Sequence, residues 1–138
     1  MMSLAVCLRA LQIISHHYHN VCGKIAFHQD HEFFAEVYSA AESDYDSVIE
    51  RIIGKDGVQA INLDMILTQV SAKVKAMPKS APENKAYYEA LLSQIEYINA
   101  EIGKLIDSKS VSRGTEQMIG NIADKNEVLV YKIKRRIA

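Results

Sequence analysis

The 138-residue sequence predicts an all-α fold: a four-helix bundle with one short extra helix in the connection between the second and third long helices. Three observations carry that reading. Apolar residues recur at spacings of three and four through four long stretches, the signature of one buried helix face. No stretch alternates apolar and polar residues with the period of two that a half-buried strand requires. Pro78, Pro82 and most of the six glycines fall between the periodic stretches rather than inside them.

Leu4, Leu8, Leu11, Ile14, Tyr18 and Val21 form the stripe of a first helix that stops before Gly23. Phe33, Phe34, Val37, Tyr38, Ala41, Tyr45, Val48, Ile49 and Ile52 define a second, with Asp30 as its cap and Gly54 as its stop. The segment from Gly54 to Pro82 is too long for a bare loop in a compact domain. Ile61, Met65, Ile66, Val70 and Val74 give it a short helix over roughly Asn62 to Lys75. Ser80-Ala81-Pro82-Glu83 has the spacing of a capping box and opens the third long helix, whose stripe runs from Tyr87 to Ile106. Thr115 or a neighbour opens the fourth, which buries Met118, Ile119, Ile122, Leu129, Ile133 and Ile137. The basic ending from Lys132 to Arg136 complements the negative end of that helix's dipole as a solvated helix end.

Composition narrows the class further. With 49% hydrophobic and 24% charged residues the chain folds rather than staying disordered, as one domain over 1–138. Sixteen Lys plus Arg against seventeen Asp plus Glu leave a net charge of -1, so there is no overall pull toward nucleic acid or anionic lipid. No run reaches the roughly 18 apolar residues of a membrane span. The start, Met1 to Ile14, carries Arg9 and reads as a folded helix rather than a leader. Cys7 and Cys22 lie too far apart on one helix to bridge, so they are read as packing residues and the expected setting is a reducing cytoplasm. The tyrosines are read as core or interface residues.

The chemistry concentrates in one region. His16, His17, His19, His28 and His31 are all of the histidines, and Glu32, Glu36, Glu42, Asp44, Asp46 and Glu50 follow them. Imidazole with carboxylate suits Fe(II), Zn(II) or Mn(II), and no CxxC motif offers a thiolate site. The spacing lets His17 meet His28 or His31 across the turn between the first two helices. His28, His31 and Glu32 share one helical face, and Asp46 and Glu50 form a carboxylate pair further along the same helix. His31 and Asp46 are about 22 Å apart on a straight helix, so no metal with bonds near ~2 Å takes ligands from both within one chain. A second copy packed antiparallel about a two-fold axis brings the His end of one chain to the acid end of the other. No Glu-x-x-His motif of the kind used inside a single bundle accompanies the early histidines.

With Tyr18-His19-Asn20-Val21-Cys22-Gly23, then His31-Glu32-Phe33-Phe34, then Asp46-x-x-x-Glu50-Arg51, the sequence resembles the ferroxidase signature of the Dps mini-ferritins. Gly114-Thr115-Glu116 and Asp124-Lys125 extend the likeness into the last helix. The resemblance implies a ferritin-like four-helix bundle assembled into a twelve-subunit shell, a dodecamer built from two-fold dimers. It implies ferroxidase activity: Fe(II) oxidised by hydrogen peroxide, or dioxygen, at inter-subunit sites and stored as ferric mineral. By that resemblance His19 and His31 would come from one subunit and Asp46 and Glu50 from its partner, with His17, Glu32 and Glu36 as further candidate ligands. The chain departs from the family pattern in having Asn20 where the family carries Trp, Ala35 where it often carries an acid, and Ser112, Arg113 and Gln117 around its pore region. It also has no lysine-rich tail, so strong DNA binding is not expected. The competing expectation is a non-catalytic helical cage or oligomeric interaction protein whose site is degraded or holds zinc. A monomeric helical adaptor is the third.

Overall fold

The computed structural model describes every residue from Met1 to Ala138 and contains helices and no strands: α1 (Met2–Val21), α2 (Phe27–Asp56), a 3-10 turn (Val58–Ala60), α3 (Leu63–Lys75), α4 (Lys85–Asp107) and α5 (Arg113–Ile137). The four long helices close a ring, α1 against α2 and α4, and α5 against α4 and α2, while α3 lies on the outside of α1. Side-chain bonds fix their directions. Asn84, just before α4, bonds Gly23, just after α1, and Arg136 at the end of α5 bonds Asp30 at the start of α2. At the opposite end Arg51, late in α2, reaches Thr115 early in α5. Taken along the chain, α1 runs up, α2 and α4 run down and α5 runs up. The connection from α2 to α4 must therefore travel the full height of the ring, and α3 is the rigid part of that crossover. No helix is long and apolar enough to cross a membrane.

The apolar stripes meet in one cluster that draws on all four long helices, with Tyr18, Leu8, Leu11, Phe34, Leu91, Ile95, Ile98 and Ile119 closed off from solvent. Each such side chain contributes about 1.5–3 kcal/mol of burial. A satellite cluster of Val6 and Ala10 with Ile66 and Val70 seats α3 on α1. Cys7 and Cys22 are buried thiols whose pKa burial raises, as packing residues should be.

Several helix ends differ from the sequence expectation. Asp30 does not cap α2; the helix starts at Phe27, and Asp30 sits in its first turn, fully buried. Gly54 does not stop α2 either. A Cβ there would meet nothing within 4 Å, so the residue is tolerated inside the helix, and the chain breaks at Gly57, whose φ of 87° strains any side-chain-bearing residue. The Ser80 capping box does not form: α4 begins at Lys85, and Asn84 spends its side chain on Gly23 and Asp30 instead. The short helix does match, with the Asn62 side chain accepting from the Met65 N–H, and α5 is capped in the same way by Ser112 accepting from Thr115. Val21, assigned to the core stripe, is instead 42% exposed beside the turn.

Candidate metal centre

The site begins with the tight connection between α1 and α2, where Lys24 takes a left-handed φ of 74° and turns the chain back on itself. That return lays the last turn of α1 against the first turns of α2 and stacks the rings of His19 and His31 with centroids 3.6 Å apart. The Nδ1 of His19 lies 2.7 Å from the carbonyl oxygen of His31, and the Nδ1 of His31 lies 2.7 Å from the carbonyl oxygen of His19. A carbonyl only accepts, so each Nδ1 carries the hydrogen. In a neutral ring the lone pair then sits on Nε2, the atom left to coordinate. Metal-binding histidines are commonly oriented this way, through the ring nitrogen that does not face the metal. Aromatic neighbours frame the pair: Phe27 lies 5.0 Å from His31, Tyr38 is edge-on to His19 at 5.4 Å, and His16 stacks on Tyr38 at 4.3 Å.

Behind the histidines, one residue earlier in the chain, Asp30 organises the whole end of the ring. Its carboxylate accepts from Arg136 Nε and a terminal nitrogen at 3.0 and 2.9 Å, from the Tyr88 hydroxyl at 2.5 Å and from the Asn84 amide at 2.7 Å. Burial pushes the Asp30 carboxyl up, but the hydrogen bonds from Arg136, Tyr88 and Asn84 outweigh it and hold the group below the ordinary carboxylate value. Tyr88 is pushed up by burial and by donating to Asp30, and Arg136 is raised by its hydrogen bonds to Asp30. Sequence reasoning assigned Asp30 to a cap and Arg136 to a solvated helix end. The cap is corrected: Asp30 is buried and pairs with Arg136, 106 positions away, which stays 38% exposed at the solvated end of α5 while its guanidinium reaches in to the carboxylate. One signal was available, because Asp30 precedes Phe34, Val37 and Ala41 at core spacing.

The remaining candidates lie elsewhere. Asp46 and Glu50 are exposed on α2 and belong to none of the chain's five ion pairs. α2 is unbroken between His31 and Asp46, so the rise of a helix keeps them about 22 Å apart, with Asp46 only about 60° further around the axis. Glu50 reaches the rim of a cavity of about 1100 Å³ at the lower end of the ring, between Arg51, Ile52, Met2, Met65 and Met118. His17 is turned away from the pair, its Nε2 2.7 Å from the Lys79 carbonyl, and His28 is exposed against Phe27. Glu36 is held by Lys132 at 2.9 Å, whereas Glu32 is exposed. Within one chain no three His, Cys, Asp or Glu side chains converge to hold a metal ion; the four leading candidates stand as a histidine pair between α1 and the start of α2 and a carboxylate pair further along α2. No family model matches the chain, and no curated protein matches it.

Proposed function

We propose that this chain is a subunit of a ferritin-like oligomer of the Dps type that binds ferrous iron between two-fold-related copies, oxidises it with hydrogen peroxide or dioxygen, and stores the ferric product in a shell. The observation that carries the reading is the reciprocal lock of His19 and His31, which leaves two Nε2 atoms at one level of α2 as a half-built coordination site. The other half is supplied by Asp46 and Glu50 of the partner subunit, on an α2 packed antiparallel. The course of the chain supports the same reading, because four long helices with a single long crossover is the connectivity of ferritin-like bundles.

The residues divide the work by ligand preference. Imidazole nitrogens hold the incoming ferrous ion, while the harder carboxylate oxygens of Asp46 and Glu50 favour Fe(III) and so make the loss of an electron downhill. Each peroxide takes one electron from each of two ferrous ions, together with two protons, and leaves two waters. The test is anaerobic Fe(II) titration followed by a peroxide pulse, on the native chain and on Asp46→Ala/Glu50→Ala. The native chain should oxidise a stoichiometric amount and keep the product dissolved; oxidation by the double variant at the native rate would refute the site.

A second reading, a non-catalytic cage that holds zinc or no metal, is favoured by one specific observation. Ala35 occupies the position one turn beyond His31, and Glu36 beside it is engaged by Lys132, so a second metal position has few ligands. On that reading the same titration yields no oxidation.

A further inference from the structure

The cavity of about 1100 Å³ at the end of the ring away from the histidines lies between the start of α1, the last turns of α2, the start of α3 and the connection from α4 to α5. It is slightly larger than the roughly 300–1,000 Å³ of a typical small-ligand site. Its apolar wall consists of Met1, Met2, Met65 and Met118, four of the chain's five methionines, with Leu105 and Val111. Thioether side chains are unbranched and adapt to the shape of what they touch. No aromatic side chain faces the space, so nothing in it stacks on a planar ring, and the wall suits a flexible aliphatic body. Gly54 belongs to the same wall from inside α2, where glycine is a poorer helix former than alanine. A Cβ added there would meet nothing within 4 Å, so close packing does not account for the glycine; its missing side chain leaves the cavity open.

The polar side of the cavity is Arg51 with Lys55 one turn further along α2, and neither belongs to any of the five ion pairs, although Glu50 and Asp56 share the rim. Arg51 reaches across to α5 instead: its Nη1 lies 3.5 Å from the Thr115 hydroxyl and 3.4 Å from where a Cβ on Gly114 would stand. A guanidinium carries five N–H donors in a planar fork, and this one uses a single donor on one long contact. We propose that the cavity binds a small amphiphile with an aliphatic body and one anionic head group, a carboxylate or a phosphate. The body lies among the methionines, and the head group takes the free donors of Arg51, with Lys55 beside it. Arginine pairs with both anions through two parallel hydrogen bonds. The carboxylates of Glu50 and Asp56 are exposed and make no contact that fixes them, whereas the guanidinium is already set against the opposite wall, which favours an anion over an ammonium group. The site needs no metal and stands whether or not the iron reading does.

The test is NMR titration of the metal-free chain, with isotope-labelled methionine methyl groups, against decanoate and decyl phosphate, with decanol and decylamine for comparison. The methyl signals of Met1, Met2, Met65 and Met118 should move with the anions, while that of Met77, past the end of α3 beside Pro78, stays in place. Decanol should bind at least about tenfold more weakly than the better anion, because it forgoes the charge-assisted bonds to Arg51. Arg51→Gln should weaken the anions by a similar factor and leave decanol unchanged. Gly54→Phe should block every probe while the chain stays folded, since the space around that Cβ is empty. A response to decanoate alone identifies the natural head group as a carboxylate, and a response to decyl phosphate alone identifies it as a phosphate. No movement of the four signals with either anion at millimolar concentration overturns the proposal, and so does equal movement at Met77. Decylamine binding as tightly as the anions, or anion affinity untouched by Arg51→Gln, overturns the head-group assignment. Native affinity in Gly54→Phe places the ligand outside the cavity and overturns the site.

Discussion

At the His end of α2 the polar groups are tied down: Asp30 accepts four hydrogen bonds in full burial, and each Nδ1 of the His19–His31 pair is bonded to the other residue's carbonyl. At the acid end Asp46 and Glu50 stand in solvent with no ion pair, and Arg51 beside them has only a 3.5 Å contact with Thr115. The two ends share one helix, yet one is preorganised and the other is left hydrated. A carboxylate pair buried without a cation would carry a heavy desolvation cost, whereas a histidine pair can be locked through its backbone contacts and still keep two lone pairs free. On the proposed reading, the difference separates the half of the site that a protomer builds alone from the half that waits for a cation.

Substitutions should separate the two ends. The largest expected effect is on chemistry at the acid end: Asp46→Ala/Glu50→Ala should reduce peroxide-driven Fe(II) oxidation to the background rate, followed by the absorbance of the ferric product. The same pair of substitutions should move stability by no more than about 0.5 kcal/mol, because both side chains are exposed and unpaired. The His end should behave in the opposite way. Arg136→Ala takes two charge-assisted hydrogen bonds from the buried Asp30, and because Arg136 is itself 38% exposed and Tyr88 and Asn84 still donate, urea unfolding should register a loss of about 1–3 kcal/mol. If Arg136→Ala unfolds at the native urea concentration, the Asp30 network is not what fastens α5 to the start of α2.

Acid should discriminate between the ends as well. The folded-state pKa of Asp30 is depressed, so its contribution to stability is fully present above the unfolded carboxylate value near ~4 and is lost as the pH falls through the lower folded value. Stability should therefore decline below about pH 4 with a component that Asp30→Asn removes. Equal acid sensitivity in the native chain and in Asp30→Asn would assign that component to other carboxylates.

The helical framework was legible in the sequence because it is local. Leu4 to Tyr18 and Tyr87 to Ile102 repeat at helical spacing, and the buried faces of α1 and α4 follow those repeats. The short helix from about Asn62 was legible for the same reason, and the structure adds that the Asn62 side chain caps it by accepting from the Met65 N–H. Asp30 was not, because its burial is stabilised by Arg136, which comes beside it only when α5 has folded against α2. Asn84 was missed in the same way: alone it reads as a helix-start residue, while in the fold it ties Gly23 to Asp30. The candidate ligands were visible as residue types, but the choice between His17 and His19 was not. It depends on which way each ring turns at the end of α1, and the return of the chain at Lys24 decides that.

That choice supplies the smallest of the expected effects. His17 and His19 are two residues apart on a helix, about 200° around the axis, so they cannot serve the same site. His17 points toward the crossover and meets the Lys79 carbonyl, while His19 points toward α2 and stacks on His31. His17→Ala removes one exposed hydrogen bond and should cost no more than about 1 kcal/mol in urea unfolding, with ferrous binding unchanged. His19→Ala removes both an Nε2 and the donor that fixes the His31 backbone, so ferrous affinity should fall by at least about tenfold, the low end for disturbing a metal's ligand shell. Titration of the two variants with Fe(II) under anaerobic conditions makes the comparison. A larger loss in His17→Ala than in His19→Ala would mean that the ring turned toward the crossover, not the stacked pair, is the half-site that the partner's acids complete.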